Sequence, residues 1–326
     1  MEILRTDDHD PKRSSHRRRR RRLRSIAMLP SMATLGNLIC GFAAIHFAAM
    51  YLMGRELSVE MGPMMARFLP SNLAIAGYLI FLAMFFDALD GQLARLTRQS
   101  SEFGAQLDSL ADVVSFGVAP AFMVICLLTR TLDGDTVHPV SQGFWGRASW
   151  VMAAVYVACA GLRLARYNVE TAEQKSAHKS FRGLPTPAAG FTICALIVLH
   201  EDVLRLLGLE GGAQRTDLSW ASDALVRSLP MTALVLGLLM VSRIRYTHLA
   251  NAYLRGKRPF TNLVGAVFVA GVFLIRPQLT LSLLAVLFTA SGPFFHAVRR
   301  YRGTHAQHPH ADEPSDTPTL PSQRSA

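Results

Sequence analysis

The sequence predicts an all-α protein: a polytopic bundle of about eight transmembrane helices with both termini in the cytoplasm. Hydrophobic residues make up 50% of its 326 positions and charged residues only 17%, a balance that is unusual for a soluble chain. Apolar stretches close to the ~20 residues that cross a bilayer recur along its length. Lysine and arginine concentrate in alternate segments between these stretches, which is typical of cytoplasmic loops.

Eight apolar stretches account for the predicted spans. The first is roughly 25 residues long and has no convincing cleavage pattern, so we expect a retained span rather than a signal peptide. The fifth is short and meets Glu201 and Asp202, where it either ends early or continues as a partly polar helix. The eight stretches lie near residues 29–53, 72–89, 109–128, 150–164, 188–200, 229–241, 261–275 and 279–298.

The distribution of positive charge sets the predicted orientation. With the N-terminus inside, 26 of the 34 Lys and Arg residues fall in segments on the cytoplasmic side. The most basic of these is the N-terminal arm, which carries six consecutive arginines at 17–22. A nucleic-acid patch is conceivable. A juxtamembrane cluster attracted to anionic lipid headgroups is the better interpretation, so we expect membrane lipids and no nucleic acid as its partner.

Four aspartates flank one short predicted inner loop. Asp87 and Asp90 lie about 60° apart on a helix, and Asp108 and Asp112 about 40° apart, so each pair shares a face. Like charges so close together near a bilayer are costly unless something compensates them. A bound cation is the simplest compensation. Oxygen ligands without nearby His or Cys favour Mg²⁺, Mn²⁺ or Ca²⁺ over zinc or copper.

Small residues share the same helical faces as the aspartates. Gly91, Ala94 and Gly104 leave room either for a ligand or for close packing of helices, and spacing alone does not separate the two. Arg95 follows Asp87 by eight residues. It is either an interface arginine or a phosphate clamp, and the neighbouring acids favour the clamp.

These residues resemble the signature of the CDP-alcohol phosphotransferase family, which reads D-x-x-D-G-x-x-A-R, eight residues, then G-x-x-x-D-x-x-x-D. The resemblance extends over roughly residues 29–200 and is closest to the membrane-integral CDP-diacylglycerol–serine O-phosphatidyltransferase branch. The segments that indicate this branch are Thr34 to Leu38, Leu107 to Pro120, Arg163 to Asn168 and Gly183 to Ala189. Every fixed position of the signature is matched, by Asp87, Asp90, Gly91, Ala94, Arg95, Gly104, Asp108 and Asp112.

The resemblance implies transfer of a phosphatidyl group from CDP-diacylglycerol to the hydroxyl of L-serine, with release of CMP and dependence on a divalent cation. Asp112 is the implied general base. An inner-membrane location, an active site at the cytoplasmic face and a homodimer are implied as well. The implied metal ligands are Asp87, Asp90, Asp108 and Asp112, and the implied CDP-binding residues are Asp87, Gly91, Ala94, Arg95, Gly104 and Asp108.

The serine pocket is less strongly indicated by the residues. Arg163 and Arg166 share a helical face at the inner end of the fourth span and could hold the serine carboxylate, or could serve as ordinary positive-inside anchors. Asn168, Ser115 and Asn37 could line the pocket or hydrogen-bond between helices. We expect serine binding by Arg163, Arg166 and Asn168.

These expectations divide the chain into four segments. They are a basic arm at 1–28, the catalytic helices at 29–200, additional transmembrane helices at 201–298 and a disordered polar tail at 299–326.

Three other functions compete with this prediction. The same transfer could use another alcohol, such as glycerol 3-phosphate or inositol phosphate, or an archaeal-type lipid donor. The aspartates could instead line an ion pathway in a transporter. The chain could also be a non-catalytic anchor that binds anionic lipid. The last two leave the glycine, alanine and arginine positions unexplained.

Overall fold

The structure is a computed structural model that describes residues 11–55, 69, 71–97, 102–133, 143–173, 183–206, 219–244, 246 and 259–305. Within these ranges all regular structure is helical, so the predicted all-α class is confirmed. The helices are α1 (Pro11–Leu52), α2 (Asn72–Thr97), α3 (Glu102–Asp112), a π-helix (Val113–Val118), α4 (Ala119–Asp133), α5 (Phe144–Glu173), α6 (Thr186–Leu206), α7 (Ser219–Val241), α8 (Pro259–Ile275) and α9 (Pro277–His305).

Seven helical segments in the described ranges are long and apolar enough to cross a membrane. They make the chain an integral, multi-pass membrane protein. The seventh predicted stretch forms α8, which is not among these seven segments; its 17 residues are at the lower limit of the ~17–25 that cross a bilayer. The fifth stretch does not end at its acids, because α6 continues through Glu201 and Asp202. The orientation of the termini stays a prediction.

The two predicted terminal segments are only partly described. Residues 11–28 of the basic arm continue the α1 helix without a break, and residues 1–10 lie outside the described ranges. At the other end, α9 extends to His305, seven residues into the predicted polar tail. The rest of that tail also lies outside the described ranges.

A π-helical segment follows Asp112 directly and joins α3 to α4 without a break. Its Phe116 and Ser115 side chains are fully buried. The hydroxyl of Tyr156, on α5, donates a hydrogen bond of 2.7 Å to the Phe116 carbonyl. Such wider turns are rare and often occur at functional sites.

Close backbone contacts hold this π-helical segment between neighbouring helices. A Cβ on Gly41 of α1 would lie 2.3 Å from the Ser115 hydroxyl and 2.8 Å from its Cα. A Cβ on Gly190 of α6 would lie 3.0 Å from the Cα of Phe116. Glycine lets these backbones approach. The chain that carries Asp112 is therefore fixed by α1, α5 and α6 together.

Candidate active site

Three of the four predicted aspartates converge at one end of the bundle. Asp87 and Asp90 lie near the end of α2, and Asp108 lies in the middle of α3. One carboxylate oxygen from each lies within 4.8 Å of the others. Asp90 is 6% exposed, and the other two are half-buried. The helical spacing thus brings carboxylates from two helices to a single point, and Asp112, also predicted as a metal ligand, is not among these three.

Asp112 lies one turn beyond Asp108, outside that group of three. It is 7% exposed, and its charge interacts with the charges of Asp87, Asp108 and Asp90. Its Oδ1 accepts a hydrogen bond of 3.1 Å from Nδ2 of Asn37. Asp112 is therefore adjacent to the cluster and has a partner of its own, which suits a role different from that of the other three.

The oxygens of the cluster fit a hard divalent cation. Mg²⁺ and Ca²⁺ bind carboxylate oxygens at about 2.0–2.6 Å, so ligand atoms on opposite sides of one ion can be roughly 4–5 Å apart. The 4.8 Å spread of Asp87, Asp90 and Asp108 is compatible with that limit. In addition, Oδ1 of Asp108 is buried and accepts no hydrogen bond from the described residues. A buried oxygen without a partner is costly, and a cation would compensate it.

A residue of α1 also reaches the cluster, and sequence reasoning did not assign it a role. Thr34 is 4% exposed, and its hydroxyl donates a hydrogen bond of 3.0 Å to Oδ2 of Asp90. Asn37, which reaches Asp112, lies one turn further along the same helix. In the sequence, Thr34 and Asn37 are two polar residues three positions apart in a largely apolar span. Their spacing alone does not connect them to the aspartates.

Open space adjoins Gly91, one of the predicted CDP-binding residues. No described residue lies within 4 Å of the position that a Cβ on Gly91 would take. Arg95 is exposed in the last turn of α2, and Gly104 is half-buried in α3. Ala94 lies on α2, but its side chain is outside the described part of the chain. A ligand can therefore approach the aspartates along this face of α2.

The structure gives the three predicted serine-binding residues different partners. Arg163 is partly buried on α5, and its charge interacts with those of Asp112 and Asp87. It donates a hydrogen bond of 2.6 Å to Oγ1 of Thr186, and its Nε is buried without a partner. Arg163 is thus a cation within electrostatic range of these acids.

The other two predicted serine-binding residues have partners of their own. Arg166 forms a 2.7 Å ion pair with Glu170. Asn168 donates to the Ser109 hydroxyl at 2.9 Å, which ties α5 to α3. Arg163 and Arg166 both line a small cavity of about 40 Å³ between α5 and the end of α7. Its other lining residues are Leu162, Tyr167, Glu170, Met240 and Val241.

A glycine turn supports this side of the site. Gly183 has a φ of +88°, which favours glycine. The backbone N–H groups of Gly183 and Leu184 donate to the carbonyls of Ile244 and Leu239, at 2.8 Å and 3.1 Å. The turn therefore joins the end of α7 to the start of α6, where Thr186 holds Arg163.

Comparison with known proteins gives a consistent result. The model of the CDP-alcohol phosphatidyltransferase family matches residues 27–222. The chain is 29% identical over 265 residues to the CDP-diacylglycerol–serine O-phosphatidyltransferase of Helicobacter pylori, covering 81% of this chain and 89% of that protein. It is 31% identical over 183 residues to the protein of the same name from Bacillus subtilis, covering 56% and 82%. A protein of that name from Methanocaldococcus jannaschii is 32% identical over 173 residues, covering 53% and 64%.

Proposed function

The chain belongs to the CDP-alcohol phosphatidyltransferase family, and from this we propose that it transfers the phosphatidyl group of CDP-diacylglycerol to L-serine, giving phosphatidylserine and CMP. The observation that carries the proposal is the convergence of the Asp87, Asp90 and Asp108 carboxylates beside the open space at Gly91. Serine is chosen as the acceptor because the relatives from Helicobacter pylori and Bacillus subtilis are both named CDP-diacylglycerol–serine O-phosphatidyltransferase.

Asp87, Asp90 and Asp108 would hold a divalent cation, Mg²⁺ or Mn²⁺, with Ca²⁺ as a further option. When bound, such an ion neutralises a diphosphate and favours departure of the leaving phosphate. The buried, unpaired Oδ1 of Asp108 and the all-oxygen donor set support this assignment.

The donor would enter along the exposed face of α2. Gly91, Ala94 and Gly104 lack bulky side chains, and Arg95 supplies a positive charge at the last turn of that helix. We place the cytidine diphosphate here, with contacts to Asp87 and Asp108. The diacylglycerol tails can stay in the bilayer, because α2 itself crosses it.

Asp112 would act as the general base. Its Oδ1 is engaged by Asn37, which leaves Oδ2 to accept the proton of the serine hydroxyl. The serine oxygen then forms a new bond to the phosphatidyl phosphorus, and the bond from that phosphorus to the oxygen of CMP breaks. The proton remains on Asp112 and the leaving electron pair remains on CMP, so the step balances.

Arg163 would hold the serine carboxylate. Its charge interacts with that of Asp112, and its Nε is buried with no acceptor among the described residues. An arginine can grip a carboxylate with two parallel hydrogen bonds. Arg166 already pairs with Glu170, so we assign it and Asn168 a smaller part at the edge of the pocket.

We place the active site at the cytoplasmic face of an inner membrane. The excess of Lys and Arg in the segments on that side supports this orientation. Water-borne serine can then meet the lipid donor at the membrane surface. We also propose a homodimer, on the basis of the family resemblance.

The proposal is tested by offering purified protein CDP-diacylglycerol and Mn²⁺ with one alcohol at a time. The alcohols are serine, glycerol 3-phosphate and inositol phosphate, and CMP release is measured with and without a chelator. We expect chelator-sensitive release with serine alone. Release with a different alcohol would contradict serine as the acceptor and would still support the phosphatidyl transfer. If no alcohol gave CMP release and a separate flux assay detected ion movement, a transporter would be favoured.

A further inference from the structure

Helix α1 places two polar side chains against the acids of the candidate site. Thr34 and Asn37 are one turn apart on the face of α1 that packs against α2 and α3. Thr34 is 4% exposed and Asn37 is 0% exposed. Thr34 donates to Asp90 at 3.0 Å and Asn37 donates to Asp112 at 3.1 Å. Each residue therefore contacts a different carboxylate.

The contact of Asn37 is unlike ordinary helix packing. Its amide NH₂ donates to Asp112, while its own Oδ1 is buried and accepts no hydrogen bond within the described part of the chain. An apolar side chain of similar size would avoid this unpaired acceptor. If the Asn37 amide were flipped, its oxygen would lie next to the Asp112 carboxylate, and two acceptors cannot hydrogen-bond. The contact with Asp112 therefore fixes the orientation of the Asn37 amide.

The backbone of Asn37 is tied to the same segment of chain. Its carbonyl accepts a hydrogen bond of 3.0 Å from the Ser115 hydroxyl, three residues beyond Asp112. One turn further along α1, Gly41 brings the backbone directly against Ser115. Asn37 is thus fixed relative to the π-helix that follows Asp112, and its side chain can hold that carboxylate in one orientation.

We propose that Thr34 and Asn37 are positioning residues with separate tasks. Thr34 orients the Asp90 carboxylate towards Asp87 and Asp108, so it governs how tightly the cluster binds a divalent cation. Asn37 occupies Oδ1 of Asp112 and presents Oδ2 to the acceptor alcohol, so it governs turnover. The second task rests on the proposed function, whereas the first concerns only binding of the cation.

The physical basis is restriction of carboxylate rotation. A carboxylate that accepts one fixed hydrogen bond has fewer orientations to lose when it binds an ion or a proton. Hydrogen bonds to metal-binding side chains typically contribute about 10–100-fold to metal affinity or activity. Because the two side chains touch different acids, their loss should affect different measured quantities.

The first test measures Mn²⁺ binding to the full-length protein, from the electron paramagnetic resonance signal of free Mn²⁺. Thr34→Val keeps the shape of the side chain and removes the donor, and Thr34→Ser keeps the donor. We expect Thr34→Val to raise the half-saturating Mn²⁺ concentration by about 10-fold or more. Thr34→Ser should restore it to within about 3-fold of wild type. Unchanged Mn²⁺ binding in Thr34→Val would overturn the role of Thr34.

The second test measures kcat for CMP release at saturating Mn²⁺. Asn37→Leu should lower kcat by about 10-fold or more while its Mn²⁺ half-saturation stays close to wild type. Asn37→Ser keeps a hydroxyl donor and should recover part of the loss. A fall in Mn²⁺ affinity without a fall in kcat would overturn the role of Asn37.

Cys40→Ala provides a matched control for packing. Cys40 follows Asn37 by three residues, is 7% exposed and belongs to the apolar core. If Cys40→Ala changes both quantities as much as the Thr34 and Asn37 variants do, loss of packing explains the effects and the proposal fails. If wild type binds Mn²⁺ but no alcohol releases CMP, the proposed function fails, and the Mn²⁺ data still decide the role of Thr34.

Discussion

The bundle buries acidic side chains at two places that lie far apart along its helices. At one end, Asp87, Asp90 and Asp108 bring their oxygens within 4.8 Å of one another. At the other, Glu201 and Asp202 on α6 are 3% and 5% exposed. Thr186, the hydrogen-bond partner of Arg163, begins the same helix α6. Glu201 follows it by 15 residues, a distance of about 22 Å along the helix axis.

The two ends share more features than burial. Each contains a carboxylate oxygen that is buried without a hydrogen bond, Oδ1 of Asp108 and Oε1 of Glu201. Each also contains a basic partner: Arg163 interacts with Asp112, and Nδ1 of His200 lies 3.4 Å from Glu201. Neither a buried acid nor an unpaired oxygen therefore identifies a reaction site in this protein.

Convergence is the feature that separates the two ends. In the described part of the chain, the aspartate end alone assembles three metal-binding groups at one point. It also leaves space beside them, at Gly91. Repelling charges held together next to an opening indicate a bound cation and a ligand, whereas an acid beside a histidine indicates a local pair.

The largest expected effect comes from neutralising an acid at the converging end. Asp108→Asn and Asp112→Asn should each lower CMP release by about 100-fold or more, because they remove a proposed metal ligand and the proposed general base. Both variants should still insert and fold, since removing charge from a repelling cluster does not weaken the bundle. Turnover near the wild-type rate in either folded variant would contradict the assigned roles.

An intermediate effect is expected from the basic partner at the same end. Arg163→Gln should raise the KM for serine by about 10-fold or more, because a hydrogen bond between charged groups contributes roughly 1.5–3 kcal/mol. The KM for CDP-diacylglycerol should change much less. Arg147→Gln, at the other end of α5, controls for loss of an arginine from that helix. Equal changes in both KM values would contradict the proposal that Arg163 binds the serine carboxylate.

The smallest effect is expected at the second acidic end. Glu201→Gln keeps the shape of the side chain and removes its charge, and we expect kcat within about 3-fold of wild type because no reacting group lies nearby. Any cost should instead appear in the Tm, since the contact with His200 changes. If this variant lost turnover as severely as Asp108→Asn while remaining folded, the contrast between the two ends would be wrong.

Sequence alone predicts the end of the bundle where the aspartates converge, because their positions depend on residue spacing within single helices. The spacing from Asp87 to Asp90 and from Asp108 to Asp112 fixes which helical faces carry the acids, and the short loop between them brings the two helices together. The apolar stretches likewise predict the seven candidate spans, and the remaining stretch forms the 17-residue helix α8.

The remaining features depend on contacts between segments distant in sequence. Thr34 meets Asp90 across 56 positions, and Asn37 meets Asp112 across 75. No periodicity within one helix reports such a contact. Arg163 donates to Thr186, 23 positions away, and that contact distinguishes it from Arg166, which shares its helical face. Arg166 instead pairs with Glu170 one turn along the same helix. The π-helix after Asp112 had no sequence signal that we could identify.

The most direct test of the central claim measures bound Mn²⁺ and serine-dependent CMP release in the same preparations of wild type, Asp108→Asn and Glu201→Gln. The aspartate end is predicted to be the metal-dependent reaction site. Wild type and Glu201→Gln should therefore bind Mn²⁺ and release CMP, and Asp108→Asn should lose both. Mn²⁺ binding and turnover that persist in Asp108→Asn, or that disappear in folded Glu201→Gln, would contradict the account.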